Sequence, residues 1–262
     1  MSESTAAAAS APGPRGAGAT GAGGGPASTH CLLLSGGLDS TTLAAWIAAH
    51  HPGEPVEAYT FLYGQKHAVE VDSAKAVAAA FKLQHHIVEL APIHGSALTD
   101  DGIPLPEGRD LAGPSGVAPS YVPARNLLFL AQMAALRDAC GPAVLWLGVH
   151  HDDHAGYPDC RPEFIEAADR AVRLGTRYGL QVRAPFVYWS KTDIVRWGLR
   201  HEVPYGLTHS CYQGRRPACG VCDTCQARLQ AFAAAGAVDP IPYETGAGAG
   251  GAGTAVGGGT GL

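Results

Sequence analysis

The chain lacks several features that define large classes of protein. None of its apolar runs approaches the ~18 residues that a membrane-spanning helix needs, which predicts a soluble, cytoplasmic protein with no membrane partner. Basic residues are also scarce: 18 Lys and Arg stand against 23 Asp and Glu, a net charge of −5. Proteins that coat nucleic acid depend on massed Lys and Arg, so this balance argues against a nucleic-acid partner. A small nucleotide is still allowed, because a few backbone amides can hold one.

The two ends of the chain lack residues that could build a core. Residues 1–29 and 244–262 hold 16 of the 35 glycines together with many alanines. Such segments cannot offset the entropy of ordering, so we expect both tails to be disordered. The first has a single Arg and no large apolar residue after Met1, which argues against a targeting peptide. The middle of the chain suffices for one α/β domain over 30–204 and a small subdomain over 205–243.

Strand-like and helix-like segments alternate through that middle part. The apolar runs at 32–34 and 143–149 are continuous, as in parallel strands covered on both faces. The alternation predicts a doubly wound, mainly parallel α/β sheet, whose ligands bind beyond the carboxyl ends of the strands. We predict strands at 30–34, 55–62, 84–89, 143–149 and 180–187, and helices at 40–50, 67–81, 125–139, 162–177 and 190–201. Residues 91–122, rich in Pro and Gly, interrupt the pattern and predict a functional lid or a disordered loop.

One turn combines the features of a phosphate-binding site. After the first predicted strand, residues 35–40 read SGGLDS, and a helix follows. Glycines let the backbone approach a ligand closely, and the partial positive charge at a helix start favours an anion. The hydroxyls of Ser40, Thr41 and Thr42 add donors, and one of them is expected to cap the helix. The turn spells neither GxxxxGK[ST] nor GxGxxG, so it is not a P-loop or a dinucleotide fingerprint; an ordinary tight turn is the alternative.

Four of the seven cysteines crowd into one short stretch near the C-terminus. Cys211, Cys219, Cys222 and Cys225 have the spacing C-x7-C-x2-C-x2-C. Four thiolates at such spacings suit tetrahedral Zn²⁺ in a structural site. Metal binding in a reducing cytosol is favoured over disulfides, because the sequence shows no secretory signal peptide. An iron–sulfur cluster is the rival interpretation.

Together these motifs resemble a known family. SGGLDS resembles SGGxDS, the pyrophosphate-binding signature of the ATP pyrophosphatase superfamily, whose members adenylate a substrate oxygen and release pyrophosphate. The strings YGQKH, VPARN, GVHHDDHAGYPDCRPEF and KTDIV and the cysteine cluster extend the likeness from about residue 31 to 232. In that order they resemble the 7-cyano-7-deazaguanine synthase family of queuosine biosynthesis. The chain departs from the family at Lys66, where Arg is usual, at Ala124, where Gly is usual, and in the residues that precede Asp152.

The resemblance implies an adenine nucleotide alpha hydrolase-like fold and an ATP-dependent ligase. Such an enzyme converts 7-carboxy-7-deazaguanine and ammonia to the 7-cyano base by adenylating the carboxylate and then the amide intermediate. Asp39, Lys191 and Arg161 would be catalytic, with Mg²⁺ on Asp39 and Zn²⁺ on the four cysteines. The implied ATP-binding residues are Leu34, Ser35, Gly36, Gly37, Leu38, Asp39, Ser40, Thr41 and Thr42. The implied substrate-binding residues are Gln65, Arg125, Tyr157, Asp159, Arg161, Glu163 and Phe164.

Within that pocket, residue types suggest specific contacts. Asp159 or Glu163 would accept hydrogen bonds from the N1–H and 2-amino edge of the base. Arg161 or Arg125 would hold the substrate carboxylate as a fork, and Tyr157 or Phe164 would stack on the ring. Gln65 and His67 follow the second predicted strand and are expected at the same sheet edge, near adenosine or ammonia. No glutaminase domain is evident, so free ammonia is the implied donor, and a homodimer is the default assembly.

Two other functions and one other metal site remain open. A tRNA-modifying adenylating enzyme would need an RNA-binding surface, which the acidic balance does not favour. A zinc-ribbon nucleic-acid-binding module would use residues 211–232, with Arg215, Arg216 and Arg228 nearby. The cluster over 150–154, which reads HHDDH, predicts either a second metal site or a wall of the active site.

Overall fold

The computed structural model describes residues 28–66, 69–105 and 116–244. Residues 1–27 and 245–262, which make up nearly all of the two predicted tails, lie outside the described residues, as do His67 and the central part of the predicted lid.

Five strands form one parallel sheet, in agreement with the sequence prediction. Their spatial order is β3-β2-β1-β4-β5, and every neighbouring pair is parallel. The strands are β1 (Thr29–Leu33), β2 (Val56–Leu62), β3 (Gln84–Glu89), β4 (Ala143–Trp146) and β5 (Gln181–Arg183). β1 begins at Thr29, inside the predicted tail, because its backbone pairs with Ala143 of β4.

β4 ends three residues earlier than predicted, and the reason lies at Gly148. A Cβ atom at Gly148 would lie 3.3 Å from the backbone carbon of Asp39. The chain therefore leaves the sheet after Trp146 and passes directly over the start of the first helix. This close approach brings the loop after β4 against the turn after β1.

Helices cover both faces of the sheet, which confirms the doubly wound fold. The helices found in the described residues are α1 (Leu38–His50), α2 (Val69–Ala80), α3 (Arg125–Asp138), α4 (Pro162–Gly175), α5 (Lys191–Arg200) and α6 (Asp223–Ala234). One buried apolar cluster includes residues of α1, α2 and α5, and the other includes residues of α3 and α4. Across the described part of the chain, no helix has the length and apolar character needed to cross a membrane.

The strand order reverses direction between β1 and β4. From β1 the chain proceeds outward through β2 and β3, and then returns to the other side of β1 as β4 and β5. The carboxyl ends of β1 and β4 thus flank the crevice where parallel α/β sheets bind their ligands. The turn at 34–37 and the loop after β4 both emerge at this point.

The cysteines form a small buried cluster of their own, and the helix that begins among them packs into the core of the rest of the chain. Helix α6, which the sequence analysis did not predict, packs against α5. Its residues Ala231 and Phe232 belong to the same buried cluster as Leu43 of α1. Arg228, also on α6, is only 1% exposed and forms a two-pronged ion pair with Asp239 at 2.6 and 2.9 Å.

Replacing Arg228 with methionine is expected to lower the free energy of unfolding by about 3–5 kcal/mol, because Asp239 would remain buried without its cation. The matched control is Arg215→Met. Arg215 pairs with Glu244, and its side chain is 55% exposed, so its loss should cost at most about 1 kcal/mol. Urea unfolding of both variants provides the measurement, and equal losses would contradict the structural role of the buried pair.

Candidate active site

The turn that follows β1 is packed so tightly that only glycine fits at one position. Gly36 has a φ of 78°, a left-handed conformation that disfavours other residues. A Cβ atom there would also lie 2.4 Å from the backbone nitrogen of Ala74 and 2.6 Å from the carbonyl oxygen of Glu70. The turn is therefore pressed directly against the backbone of α2. Its position is determined by two helices, α1 and α2, rather than by a free loop.

The hydroxyl groups around the turn divide into two sets. Ser35 Oγ lies 3.1 Å from Ser40 Oγ and accepts a hydrogen bond from the Gly37 N–H. Thr41 and Thr42 are fully buried and donate to the carbonyls of Gly37 and Leu38, respectively. Ser40 also donates to the Gly37 carbonyl, but of these residues only Ser35 and Ser40 line the cavity above the turn, whereas the two threonines hold the first turn of α1 together.

This arrangement corrects part of the sequence prediction. Helix α1 begins at Leu38, its N-cap is Gly37, and no side chain caps it. The expectation that Ser40, Thr41 or Thr42 caps the helix is therefore wrong. The first N–H groups of a helix lack intrahelical acceptors, and without a capping side chain those of α1 remain available to an anion.

Asp39 and Lys191 form an ion pair beside the turn. Lys191 Nζ donates to Asp39 Oδ2 at 2.8 Å and lies 3.0 Å from Nε2 of the buried His150. Lys191 is the first residue of α5, whose N-terminus is closed by a capping box between Ser190 and Asp193. A cation in the first turn opposes the helix dipole, so the acidic partner compensates for an unfavourable position.

Both members of this pair are charged. Burial favours the neutral acid at Asp39, but the charge and the hydrogen bond of Lys191, together with the other basic groups nearby, outweigh burial and hold the pKa of Asp39 below its ordinary value. Burial likewise favours the neutral amine at Lys191, but Asp39 and Asp153 raise its pKa above the ordinary value. Asp39 Oδ1 is buried and has no hydrogen-bond partner among the described residues. One carboxylate oxygen thus binds the lysine, and the other is available to a further cation.

A cavity of about 250 Å³ opens above the turn, at the predicted sheet edge. Most of the residues predicted from the resemblance line it: Leu34, Ser35, Gly37, Leu38, Asp39, Ser40, Gln65, Arg125, Tyr157 and Lys191. Arg125 Nη1 donates to the hydroxyl of Tyr63, while Tyr157 shares hydrogen bonds with Ser120 and Tyr212. Gln65 is held by the backbone of Tyr63 and Phe61.

Four predicted substrate residues do not line this cavity: Asp159, Arg161, Glu163 and Phe164. Asp159 Oδ2 accepts from the Asn126 N–H and so caps α3. Arg161 is exposed and donates to the His154 carbonyl oxygen. Glu163 is exposed in the first turn of α4, and Phe164 packs against the apolar core. The predicted catalytic role of Arg161 and the predicted base contacts of the other three do not fit this placement.

Several wall residues were not predicted from the sequence. Glu70, Ser120, His209, Ser210 and Tyr212 all line the cavity. Glu70 lies in the first turn of α2, shortly after the YGQKH string. This closeness to the string was the available sequence signal for it. The others come from the predicted lid and from the loop that leads into the cysteine cluster, so no local pattern identified them. Lys66, where the family usually has Arg, does not line this cavity. Its ammonium lies 3.6 Å from Asp101.

Ala124, where the family usually has Gly, occupies a left-handed backbone position. Ala124 is the N-cap of α3 and has a φ of 51°, where a Cβ atom costs about 1–2 kcal/mol. We therefore expect Ala124→Gly to raise the free energy of unfolding by about 1 kcal/mol. Ala131→Gly, at an exposed interior position of the same helix, should lower it by about 0.5–1 kcal/mol. Thermal and urea unfolding test both changes, and a stability loss in both variants would refute the strain at Ala124.

The cluster over 150–154 forms part of the active-site wall. Asp153 lines the cavity, and its Oδ2 lies 3.3 Å from His150 Nε2. His151 points away and is exposed. Within the described residues, this cluster is not one of the groups whose ligand atoms lie close enough to share a metal ion. The structure therefore favours the wall over the second metal site.

His30, His51 and Glu54 are close enough to hold a metal, but their hydrogen bonds oppose it. Trp146 Nε1–H donates to His30 Nδ1 at 2.9 Å. Burial lowers the pKa of His30 despite its hydrogen bond to Glu54, so the ring is neutral and carries its proton on Nε2. That proton is donated to Glu54 Oε2 at 2.8 Å. His30 thus has no free lone pair for a metal.

The four cysteines converge as predicted. All four are buried, and their Sγ atoms lie within 4.8 Å of one another. The N–H groups of Cys219 and Cys222 donate to the sulfurs of Cys211 and Cys219, as expected around metal-bound thiolates. A tetrahedral ion with bonds of about 2.3 Å would place the sulfurs about 3.8 Å apart, so the cluster is of the right size to bind a metal ion.

The cysteine loop is also part of the active-site wall. Ser210 and Tyr212 flank Cys211 and line the cavity, and the His209 N–H donates to the Gly36 carbonyl at 2.9 Å. The arginines near the cluster are engaged: Arg228 with Asp239, Arg216 with Ser73, and Arg215 with Glu244. These contacts disfavour a separate zinc-ribbon module that binds nucleic acid.

Comparison with known proteins gives consistent matches. The family model described as "Queuosine biosynthesis protein QueC" matches residues 29–236. The 7-cyano-7-deazaguanine synthase of Thermoplasma acidophilum is 44% identical over 220 residues, which cover 81% of this chain and 91% of that protein. That of Acinetobacter baylyi is 42% identical over 221 residues, covering 81% and 93%. Among solved structures, NMN synthetase from Francisella tularensis has a TM-score of 0.43 and 15% identity, covering 71% of this chain and 66% of that one.

Proposed function

The chain belongs to the family of the queuosine biosynthesis protein QueC, and from this membership we propose that it is an ATP-dependent nitrile-forming ligase. Its substrates are 7-carboxy-7-deazaguanine, ammonia and two molecules of ATP, and its product is 7-cyano-7-deazaguanine. Its named relatives, the 7-cyano-7-deazaguanine synthases, support the product. The ion pair of Asp39 and Lys191 beside the turn at 35–40 supports the use of ATP.

The chemistry requires two activations of the same carbon. A carboxylate oxygen of the substrate attacks the α-phosphorus of ATP and displaces pyrophosphate, and ammonia then displaces AMP from the acyl carbon to give the amide with loss of a proton. The amide oxygen attacks a second ATP in the same way. Loss of AMP and of the remaining N–H protons leaves the nitrile. Each activation replaces a poor leaving group with AMP, so one phosphate site beside one base site serves both halves.

The turn supplies the anion-binding part of this site. The first amides of α1, the Gly37 backbone and the hydroxyls of Ser35 and Ser40 surround the point where pyrophosphate would bind. Lys191 places an ammonium beside the same point. Preorganised donors of this kind stabilise the charge that grows on the transferred phosphate.

Asp39 is the residue that would hold Mg²⁺. Its Oδ1 is buried and unpartnered, and carboxylate oxygens are the ligands that Mg²⁺ prefers. When bound, Mg²⁺ neutralises charge on the phosphate oxygens. Because Lys191 occupies Oδ2, Asp39 presents one oxygen in a defined direction. At the cysteine cluster we propose Zn²⁺, which would stabilise the loop that carries Ser210 and Tyr212.

The other side of the cavity fits a planar base. Tyr157 presents an aromatic ring whose hydroxyl is bonded to Ser120 and Tyr212. Arg125 provides a half-buried guanidinium on the cavity wall that can hold the substrate carboxylate as a fork. These two residues retain the roles that the resemblance implied for them.

One observation carries the proposal: the Asp39–Lys191 pair stands at the start of α1, beside uncapped helix amides, in a chain that matches the family over its described core. The test is a reaction of the purified protein with ATP, Mg²⁺, ammonium and 7-carboxy-7-deazaguanine, followed by mass spectrometry. We expect the nitrile and two equivalents of AMP per nitrile. An amide that proceeds no further would show a single activation, and the absence of any product would contradict the proposed substrate.

A further inference from the structure

Glu70 differs from the other carboxylates of the cavity wall. Three acidic residues of the described chain line the cavity: Asp39, Glu70 and Asp153. Asp39 is paired with Lys191, and Asp153 lies 3.3 Å from His150 Nε2. No described residue donates a hydrogen bond to the Glu70 carboxylate or forms an ion pair with it. Within the described part of the chain, its oxygens are therefore left without a donor.

The position of Glu70 is set by the phosphate-binding turn itself. It lies in the first turn of α2, and its carbonyl oxygen would be 2.6 Å from a Cβ atom on Gly36. The next residue, Val71, is buried and also lines the cavity. This backbone contact fixes the position of Glu70 relative to the turn. A group that recognises one particular ligand must be held in a fixed position.

The surroundings of Glu70 make an unpartnered carboxylate costly. Burial raises its pKa to about 7 even though the nearby Arg125 charge opposes that rise. A partly buried acceptor without donors is unfavourable until a ligand supplies them. Two adjacent N–H donors would satisfy both oxygens of the carboxylate at once.

We propose that Glu70 reads the N1–H and 2-amino edge of the deazaguanine substrate through a two-pronged hydrogen bond. This inference rests on the proposed function and assigns to Glu70 the contact that the sequence had suggested for Asp159 or Glu163. The 6-oxo group of the base adjoins this edge, and the 7-carboxylate lies on the other side of the 6-oxo group. A carboxylate at Glu70 would match the donor edge, and a guanidinium at Arg125 would match the acceptor groups.

The same contact would distinguish the two bases that the enzyme binds, namely the deazaguanine substrate and the adenine of ATP. Adenine presents an N1 acceptor where guanine presents an N1–H donor. A carboxylate therefore accepts a guanine-type edge and repels the adenine ring of ATP. Glu70 would keep ATP out of the base site, although both ligands share one cavity.

The test compares two ligands with the wild-type protein and with Glu70→Gln, which keeps the shape but replaces one acceptor with a donor. The ligands are 7-carboxy-7-deazaguanine and its analogue without the 2-amino group, and their binding is measured by calorimetry on the full, metal-loaded protein without ATP. We expect Glu70→Gln to weaken binding of the amino ligand by about 100-fold and binding of the analogue by less than about tenfold. The KM for ATP should not change.

Glu166→Gln is the matched control, because Glu166 is exposed on α4 and away from the cavity. It should alter neither affinity, and the melting temperature and metal content of Glu70→Gln should match the wild type. Equal weakening of both ligands by Glu70→Gln would overturn the inference, as would wild-type protein that binds neither ligand. If the wild-type protein binds the amino ligand in a Glu70-dependent way but forms no nitrile, the proposed reaction fails while the assignment of Glu70 stands.

Discussion

Asp39→Ala is expected to lower kcat/KM for nitrile formation by about 10³-fold or more. The substitution removes the buried Oδ1 that would hold Mg²⁺ and the Oδ2 that binds Lys191 at 2.8 Å. Lys191 would then be a buried cation at a helix N-terminus without its main partner. Loss of one preorganised charge-stabilising group costs about 10²–10³ in rate, and here two are affected together. The measurement is the rate of AMP and nitrile release over a range of substrate concentrations, from which kcat/KM is obtained.

The same variant should keep its structure and its metal. The cysteine cluster does not include Asp39, so the metal content should stay at the wild-type value. Asp72→Ala is the control: Asp72 lies on the exposed side of α2 and forms only a weak contact with Lys75 at 3.9 Å. It should retain wild-type turnover. Full activity in Asp39→Ala would remove Asp39 from the proposed metal and phosphate site.

Cys222→Ser is expected to lose the bound metal and, with it, the folded C-terminal part. Cys222 is fully buried, and its N–H donates to the sulfur of Cys219. Binding of zinc by small thiolate sites contributes on the order of 10 kcal/mol, which exceeds the stability that this short loop could obtain from its own core. Metal analysis and thermal unfolding provide the measurement, and both should fall together.

Loss of the metal should also reduce ATP-dependent activity, because the loop forms one wall of the active site. The His209 N–H holds the carbonyl of Gly36, and Tyr212 is bonded to Tyr157. Cys140→Ser is the matched control, since Cys140 is an exposed cysteine outside the cluster, and it should leave metal content and turnover unchanged. A stable, metal-free and fully active Cys222→Ser would show that the cluster is dispensable for the site.

The placement of GYPDCRPEF shows where residue patterns mislead. The string covers residues 156–164, and of these only Tyr157 and Cys160 line the cavity. Asp159 instead caps α3 through the Asn126 N–H, and Arg161 binds the His154 carbonyl. A motif identifies a segment near the site, but side-chain direction depends on the 3₁₀ turn at Pro158–Cys160 and on the start of α4, which no spacing rule predicts.

The sequence by itself determined the alternation of the five strands with the first five helices, the glycine turn after β1 and the grouping of the four cysteines. These features arise from local causes: apolar runs make buried strands, glycine permits the φ of 78° at Gly36, and close cysteine spacing brings thiols together. Only the tertiary structure placed Glu70, His209 and Tyr212 around one cavity, because they come from α2 and from the loop before the cysteine cluster. Their meeting depends on the contact between α2 and the turn and on the hydrogen bond from His209 to Gly36. Packing between segments distant in sequence, rather than any local pattern, decides which side chains share the site.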